Sequence, residues 1–374
     1  MTRTPPAGYR YGPTRIEVRT DDLDAALWLN EFLVPWFETC ESGPWDHCVR
    51  FTASNTAFAA LERAAARSAL QPIGGFALDR DVLDLRGWRE AEVWHLFEAE
   101  RGCFYRVQKN EVDVIARPGN RSARLALMRT VREIAATRAR RLPGWIDLHA
   151  AAFAVEGRAL ILVGPKEAGK TTLLVHALGG LGAGCIANDR VFVEAGADPV
   201  SVRGMPTAVR VRPGTLARNP RLRDPDRPGE RPLLHHRQEI REPVWPPVAA
   251  LTLSPAELAR RLEVRCVARM PVAAVIGVEI DGSCSGWSLE PIGAEGASAV
   301  LRGGLYGGDG TRAPTIFERS LGAVAPVTRF ASVERLATAL PVLRCRLGPD
   351  AYEVTTAGPT LLDALLERVA LEGR

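Results

Sequence analysis

The sequence predicts a two-domain protein of the α/β class. Its 374 residues are 46% apolar and 25% charged, which is enough apolar chain for two ordinary hydrophobic cores. Beyond Pro143-Gly144, apolar strands lead into a glycine-containing loop and then a helix, a pattern that the first part of the chain lacks. We therefore expect a smaller α+β domain in residues 1–142, suited to substrate or partner recognition, and an α/β domain in residues 143–374.

The charge balance and the cysteines restrict the class of protein. The 48 basic and 44 acidic residues leave a net charge of only +4, so we do not expect a nucleic-acid partner. No run of 18 uncharged apolar residues predicts a membrane helix, and the polar N-terminus shows no secretory signal. Seven scattered cysteines without a Cys-x-x-Cys pair favour reduced thiols over disulfides or zinc. A cytoplasmic protein without membrane association is the expectation.

In residues 1–142 the hydrophobic pattern predicts five strands and three helices. The last three strands resemble an antiparallel meander. The final helix carries seven arginines opposed only by Glu133, and we interpret it as a solvated face or a dimer contact, with phosphate or acidic-peptide binding as the alternative. The predicted strands span residues 15–19, 47–52, 92–100, 103–108 and 111–116, and the helices span 22–37, 57–69 and 121–141.

In residues 143–374 strands and helices alternate more regularly. A segment rich in proline and arginine, 218–247, interrupts them and is interpreted as a mobile loop or a linker. The predicted strands span residues 149–155, 159–163, 185–187, 191–194, 200–203, 207–212, 271–280 and 342–347, and the helices span about 170–178, 294–301, 332–340 and 359–371.

The segment Gly164-Pro-Lys-Glu-Ala-Gly-Lys-Thr fits the phosphate-loop pattern G-x-x-x-x-G-K-[ST], between a predicted strand and a predicted helix. The glycines let the backbone approach a phosphate closely, and successive N–H groups and the helix N-terminus face the anion. Lys170 is expected to reach the outer phosphate oxygens and Thr171 to hold Mg²⁺. The predicted nucleotide-binding residues are Gly164, Pro165, Lys166, Glu167, Ala168, Gly169, Lys170, Thr171 and Thr172.

Lysine is rare in this chain, which makes its positions informative. Only Lys109, Lys166 and Lys170 occur, beside 45 arginines, a bias that GC-rich coding explains for ordinary surface charges. A compact ammonium fits between phosphate oxygens where the planar fork of arginine does not, so Lys170 carries a chemical requirement. Lys166 carries none, and both a phosphate or partner contact and a solvated loop position stay open for it.

A phosphate-transferring site also needs an acid for the metal or for the proton of the acceptor hydroxyl. Asp189 is the first acid at a plausible strand end after the loop helix, and it follows Thr171 by 18 residues. A turn aspartate is the competing interpretation. His149 begins the strand before the loop strand, where a structural hydrogen-bonding role competes with a functional one.

Taken together, these segments resemble the C-terminal domain of HPr kinase/phosphorylase and HPr-kinase-related proteins. The resemblance rests on Leu148-His149, on Leu160-Ile-Leu-Val-Gly-Pro-Lys-Glu-Ala-Gly-Lys-Thr-Thr and on Ile186-Ala-Asn-Asp-Arg-Val, and it covers about Trp145 to Arg212 and more weakly the chain to Leu347. It implies a P-loop kinase domain of the HPr kinase C-terminal type. His149, Lys170, Thr171 and Asp189 match positions of that family's active site, with ATP and Mg²⁺ as cofactors and Asp189 sharing the metal with Thr171.

Three departures from the family pattern change the expected substrate. Asn188 stands where the family has the first of two aspartates, and Ser201 stands where it has an acid near the metal. The family's segment for protein-substrate docking and phosphorolysis is not evident. These differences argue against HPr as the substrate and against phosphorolysis. Looser relatives include kinases that phosphorylate a peptide hydroxyl.

The sequence thus predicts an ATP- and Mg²⁺-dependent kinase that transfers the γ-phosphate to a hydroxyl or similar nucleophile of a peptide or small-molecule acceptor. Asp189, Lys170 and His149 are its expected catalytic residues. The alternative is a nucleotide-binding regulatory or scaffold protein without transfer activity, which the loss of the two acids motivates. Relatives are often oligomeric, so a homo-oligomer is an open expectation.

Overall fold

The computed structural model describes residues 5–77, 82–223, 251–306, 327–352 and 360–372. The protein is a mixed α/β structure with two nine-stranded sheets and one two-stranded sheet. The described residues divide into two compact units, one before and one after the junction of Leu142 and Pro143. None of the helices in these ranges is long and apolar enough to cross a membrane.

The first unit contains one large sheet in the order β3-β1-β2-β4-β9-β8-β7-β6-β5. The β2, β4 and β9 strands pair in parallel, and the other neighbours are antiparallel. The strands β1–β9 are Gly8–Tyr11, Thr14–Thr20, Glu38–Cys40, His47–Ala53, Gln71–Ala77, Val82–Glu90, Val93–Glu98, Cys103–Gln108 and Glu111–Ala116, and the helices α1–α3 are Leu23–Leu33, Asn55–Arg67 and Ala123–Ala139.

Local chemistry sets the ends of the first helix. The Asp22 side chain caps α1 by accepting a hydrogen bond from the backbone N–H of Ala25 at 2.8 Å. The helix ends at Leu33, four residues before the predicted end. Pro35 explains the difference, because proline lacks the N–H that a helix interior needs and disfavours helical backbone at the residue before it.

The arginine-rich helix α3 is buried, so the prediction of a solvated face is wrong. It packs against α1 and against β2, β4 and β9. Arg129, Arg132 and Arg140 are each at most 8% exposed. Arg129 donates to the buried Glu98 carboxylate at 3.1 Å, and Arg138 donates to His47 at 2.7 Å. Apolar residues on all sides of the helix bury it, and the arginines are tolerated there because they have polar partners.

The second unit contains the other large sheet, with the path β10-β14-β15-β18-β12-β11-β13 and with β20 and β19 beside β18. The antiparallel pair β16–β17 forms a separate two-stranded sheet. The strands β10–β20 are Trp145–Leu148, Ala150–Val155, Arg158–Val163, Gly184–Ala187, Val191–Glu194, Ser201–Gly204, Val209–Val211, Leu251–Leu253, Arg269–Ile280, Trp287–Pro291 and Val342–Leu347, and the helices α4–α10 are Lys170–Leu181, Pro213–Arg218, Pro220–Arg223, Pro255–Arg261, Ala294–Gly303, Val327–Ala339 and Leu361–Glu372.

Alternation along the central strands produces two hydrophobic cores. Leu160 and Leu162 of β12 point to one side, into a core with Leu173 and Leu174 of α4. Ile161 and Val163 point to the other side, where residues of β10, β14 and helix α8 pack. Strands buried on both faces read as continuous apolar runs, which is the pattern of Ala159–Val163 in the sequence.

Strand directions gather several strand ends at one edge of this sheet. Parallel pairing of β12, β18 and β20 puts their carboxyl ends together. The β11 strand is antiparallel to both β12 and β13, so the end of β13 lies at the same edge. Ligands of α/β proteins bind outside such carboxyl ends, and the predicted site residues follow β12 and β13. Of the Pro- and Arg-rich segment, residue 218 ends α5 and residues 220–223 form α6, and residues 224–247 lie outside the described residues.

Candidate nucleotide site

The phosphate-loop motif forms the connection between β12 and α4. The ammonium of Lys170 donates hydrogen bonds to the carbonyl oxygens of Gly164 at 2.6 Å and Pro165 at 2.9 Å. Lys170 is the first residue of α4 and is 7% exposed. Its charge is therefore held inside the curve of the loop. Since a cation and a helix N-terminus face the same space, the loop has the electrostatics of an anion site.

Two glycines in this loop occupy positions that disfavour a side chain. A Cβ on Gly164 would lie 2.3 Å from the carbonyl oxygen of Val278, so only glycine lets the loop leave the sheet beside β18. Gly169 has φ of +95° and caps α4. This left-handed conformation is strained for other residues. The spacing of the glycines in the motif is therefore a requirement of the backbone path.

A second segment contacts the loop and the first turn of α4. The Glu167 carboxylate, at the loop tip, accepts a hydrogen bond from the Arg212 guanidinium at 2.5 Å. The hydroxyls of Thr172 and Thr215 lie 2.9 Å apart. Arg212 is the N-cap residue of α5, directly after β16, and Thr215 lies in the first turn of α5. Arg212 is a residue that sequence reasoning missed, because nothing in the pattern separates it from 44 other arginines.

His149 and Asp189 come together because each lies at a corner between two strands. His149 connects β10 to β11, and Asp189 lies between β13 and β14. Pairing of β10 with β14 and of β11 with β13 brings the two corners side by side. His149 Nε2 lies 3.5 Å from Asp189 Oδ1, with side-chain exposures of 19% and 41%. This is ion-pair distance for a protonated histidine, and the carboxylate keeps access to solvent.

A buried ion pair lies next to these corners in the sequence and joins their strands. Arg190 is fully buried and donates to both carboxylate oxygens of Asp147, at 3.1 and 2.7 Å. Its guanidinium also lies 4.0 Å from the ring centre of Tyr306, a cation–π contact. Neither Asp147 nor Arg190 was predicted from the sequence. The available signal was that Asp147 lies two residues before His149 and that Arg190 directly follows Asp189.

The backbone of His149 is held from the other side. Its N–H donates to the carbonyl oxygen of Gly304 at 2.7 Å. A Cβ on Gly304 would lie 2.4 Å from Val163, so glycine is needed where this segment passes the last residue of β12. The His149 corner is thereby tied to the strand that enters the phosphate loop.

The two departures from the family pattern occupy different places. Asn188 lies next to Asp189 and is 7% exposed, and its side-chain oxygen has no hydrogen-bond partner among the described residues. Ser201 pairs with Glu194, whereas Gly204 pairs with Val191 near the Asp189 corner. Three residues of strand separate Ser201 from that corner, roughly 10 Å. An acid at position 201 would therefore lie at the far end of the hairpin.

The structure brings the predicted residues to one edge in two groups. Lys170 and Thr171 lie where α4 begins, after β12, and His149 and Asp189 lie at the adjoining corners. The β11 strand stands between β12 and β13, so Asp189 is two strand positions from the loop strand, about 10 Å. Lys166 is exposed at the loop tip.

The donor atoms present fit a nucleotide with Mg²⁺. The loop supplies a buried ammonium and a backbone path that only glycine allows. Thr171, Asp189 and the unpartnered oxygen of Asn188 are hard oxygen donors, the type that Mg²⁺ prefers. Within the described ranges no cluster of three His, Cys, Asp or Glu residues could hold a metal by itself.

The cysteines form no disulfide among the described residues. All are free thiols, and Cys40, Cys103, Cys185 and Cys345 are buried. Burial raises the pKa of the Cys103 and Cys345 thiols to about 12, so both are protonated at neutral pH.

Comparison with known proteins adds no family to this geometry. No protein-family model matches the chain, and no curated protein matches it significantly.

Proposed function

We propose that this protein is an ATP- and Mg²⁺-dependent kinase of the HPr-kinase-like type that phosphorylates a hydroxyl of a peptide or small molecule other than HPr. One observation carries the proposal: the buried Lys170 ammonium sits in the loop after β12, and the His149–Asp189 pair lies at the same edge of the sheet. The first group is suited to phosphate and the second to the acceptor.

The loop would bind the phosphates by charge and position. Lys170 would exchange its two carbonyl partners for phosphate oxygens, helped by backbone N–H groups of the loop and the N-terminus of α4. Pro165 has no N–H and contributes none of these donors. Holding the reactants in line supplies much of the rate enhancement in phosphate transfer, so no covalent enzyme intermediate is required.

Asp189 would act on the acceptor. Its carboxylate is solvent-accessible and could receive the proton of the acceptor hydroxyl, while His149 at 3.5 Å orients it. Thr171 and Asp189 would hold Mg²⁺, with Asn188 as a neutral oxygen ligand where the family has an acid. When bound, the metal would supply positive charge to the phosphate oxygens.

The second candidate is a nucleotide-binding protein that transfers no phosphate. Asn188 favours it, because a neutral amide replaces one carboxylate at the Asp189 corner. The two candidates differ in one measurement. Purified protein is incubated with ATP, Mg²⁺ and a peptide library rich in serine and threonine, and products are detected by mass spectrometry. Phosphorylated peptide that disappears with Lys170→Ala and Asp189→Asn supports the kinase, whereas ATP binding without ADP formation supports the second candidate.

A further inference from the structure

An ion pair at the tip of the phosphate loop has no role in the proposed phosphate transfer. Glu167 in the loop and Arg212 before α5 are 45 residues apart in sequence, and their side chains join at 2.5 Å. Both side chains are more than half exposed, so water surrounds the pair and it contributes little to folding stability. Stability therefore does not explain why this contact spans the loop.

The position of Glu167 is electrostatically unfavourable for the loop's function. A carboxylate at the loop tip lies beside the space that phosphates would occupy, and like charges repel. The hydrogen bond from Arg212 holds the pKa of Glu167 below its ordinary value, so this carboxylate is charged at neutral pH. The loop tip thus carries one negative charge, which Lys166 and Arg212 both oppose, with Arg212 contributing most.

Arg212 has more donors than Glu167 uses. A guanidinium carries five N–H donors, and one hydrogen bond to Glu167 is present among the described residues. Its segment is also held against α4 by the Thr172–Thr215 contact, so the guanidinium is kept beside the loop. Arginine binds phosphate oxygens in bidentate geometry, which is stronger than a single neutral hydrogen bond.

We propose that Arg212 is a phosphate-binding residue of the nucleotide site, paired with Glu167 in the free protein and shared with the outer phosphate when a triphosphate binds. This inference rests on the proposed nucleotide site and adds to it a residue from outside the loop motif. Arg212 differs from the other arginines of the chain in its position beside the phosphate loop. The residue would favour ATP over ADP, because it would contact the outermost phosphate, which ADP lacks.

The test is ATP and ADP affinity, measured by isothermal titration calorimetry in the presence of Mg²⁺. Arg212→Ala should weaken ATP binding about tenfold or more, the loss typical of one charge-assisted hydrogen bond, and weaken ADP binding less. Arg212→Lys should give an intermediate loss, since a point charge replaces the fork. Glu167→Gln should tighten ATP binding. Arg158→Ala, an exposed charge at the opposite end of β12, is the matched control for net charge.

The double variant Glu167→Gln/Arg212→Ala separates phosphate binding from simple neutralisation. If Arg212 contacts phosphate, the double variant stays weak for ATP, because removing Glu167 does not replace the lost donor. ATP affinity restored to that of the natural protein would show that Arg212 only cancels Glu167 and would overturn the inference. Unchanged ATP binding in Arg212→Ala overturns it as well. Failure of the natural protein to bind either nucleotide would instead reject the proposed function.

Discussion

The Arg190 guanidinium donates two hydrogen bonds to the Asp147 carboxylate, and both side chains are buried directly beneath the His149 and Asp189 corners. Asp147 is the second-last residue of β10, and Arg190 directly precedes β14. The pair therefore joins the two strands at the point where the chain turns toward the site. Fixed corners keep the histidine and the aspartate at 3.5 Å. The positions of His149 and Asp189 are therefore set by buried contacts of the core.

Breaking this pair should destabilise the second unit strongly. Asp147→Asn removes the carboxylate charge that pairs with a buried guanidinium, and removal of one partner of a buried pair costs about 3–5 kcal/mol. Arg190→Lys should also destabilise, because an ammonium cannot reproduce the bidentate geometry. Urea unfolding measures both. Glu290→Gln, which removes two exposed ion pairs, with Arg344 and Arg346, is the control and should leave the midpoint nearly unchanged. An equally small shift in Asp147→Asn would contradict the buried role.

Lys170 should be irreplaceable even by arginine. Lys170→Arg keeps the charge, yet the planar fork does not fit between the carbonyl oxygens of Gly164 and Pro165, 2.6 and 2.9 Å from the ammonium. We expect ATP binding to fall about tenfold or more in this variant. Lys109→Arg makes the same substitution on a turn of the first unit and serves as the control. Wild-type ATP affinity in Lys170→Arg would contradict a phosphate contact through this ammonium.

Asp189 should be needed for transfer and dispensable for the binding of metal-free ATP. Asp189→Asn preserves the shape of the side chain and removes the group that accepts the proton. We expect phosphate transfer to fall about 100-fold or more, the usual contribution of a general base, with ATP affinity in the absence of Mg²⁺ changed only a few-fold. Quenched-flow measurement of ADP formation and calorimetry give the two values. Transfer at the natural rate would remove Asp189 from the mechanism.

Asn188 should tune the response to Mg²⁺. Asn188→Asp puts a second carboxylate in a position that is 7% exposed and adjacent to Asp189, where burial and like charge both disfavour ionisation. The variant should melt at a lower temperature than the natural protein in EDTA, and Mg²⁺ with ADP should raise its melting temperature more. Thermal unfolding with and without Mg²⁺ measures this. Identical metal responses in the two proteins would argue that Asn188 Oδ1 does not face the metal.

His47 should make the first unit sensitive to acid. Burial and the nearby Arg138 lower the pKa of His47 from 6.5 to about 4, partly offset by Asp46 and a backbone hydrogen bond to Asn110. The folded state binds its proton less readily than the unfolded state. The stability due to neutral His47 is therefore complete above pH 6.5 and is lost as pH falls toward 4, by about 3 kcal/mol in total.

The check is urea unfolding of the natural protein and of His47→Gln between pH 7 and pH 4. Glutamine can still accept the hydrogen bond from Arg138 and does not titrate in this range. The natural protein should lose stability with falling pH more steeply than the variant. Parallel curves would show that His47 is not buried in its neutral form.

The sequence predicted the helices and strands that have a clear hydrophobic periodicity or carry a motif. The elements that it did not predict have local causes. The predicted strands around 159–163 and 342–347 and the helix at 170 match β12, β20 and α4 closely. The β1, β3, β5 and β6 strands of the first unit and the β10, β17 and β19 strands of the second were not predicted. In β5, Pro72 and the Gly74–Gly75 pair hide the alternation, and in such cases sheet neighbours decide the conformation. The burial of α3 was also missed, because arginines conceal an apolar surface that surrounds the helix.

The sequence by itself determined the strand, loop and helix of the phosphate-loop motif, since glycine spacing and one lysine are requirements of short-range backbone geometry and charge. Only the tertiary structure decided which distant groups join it. Strand pairing set His149 beside Asp189, the buried Asp147–Arg190 pair fixed their corners, and the approach of α5 selected Arg212. Such contacts depend on register and strand order, which act over tens of residues and leave no local pattern in the chain.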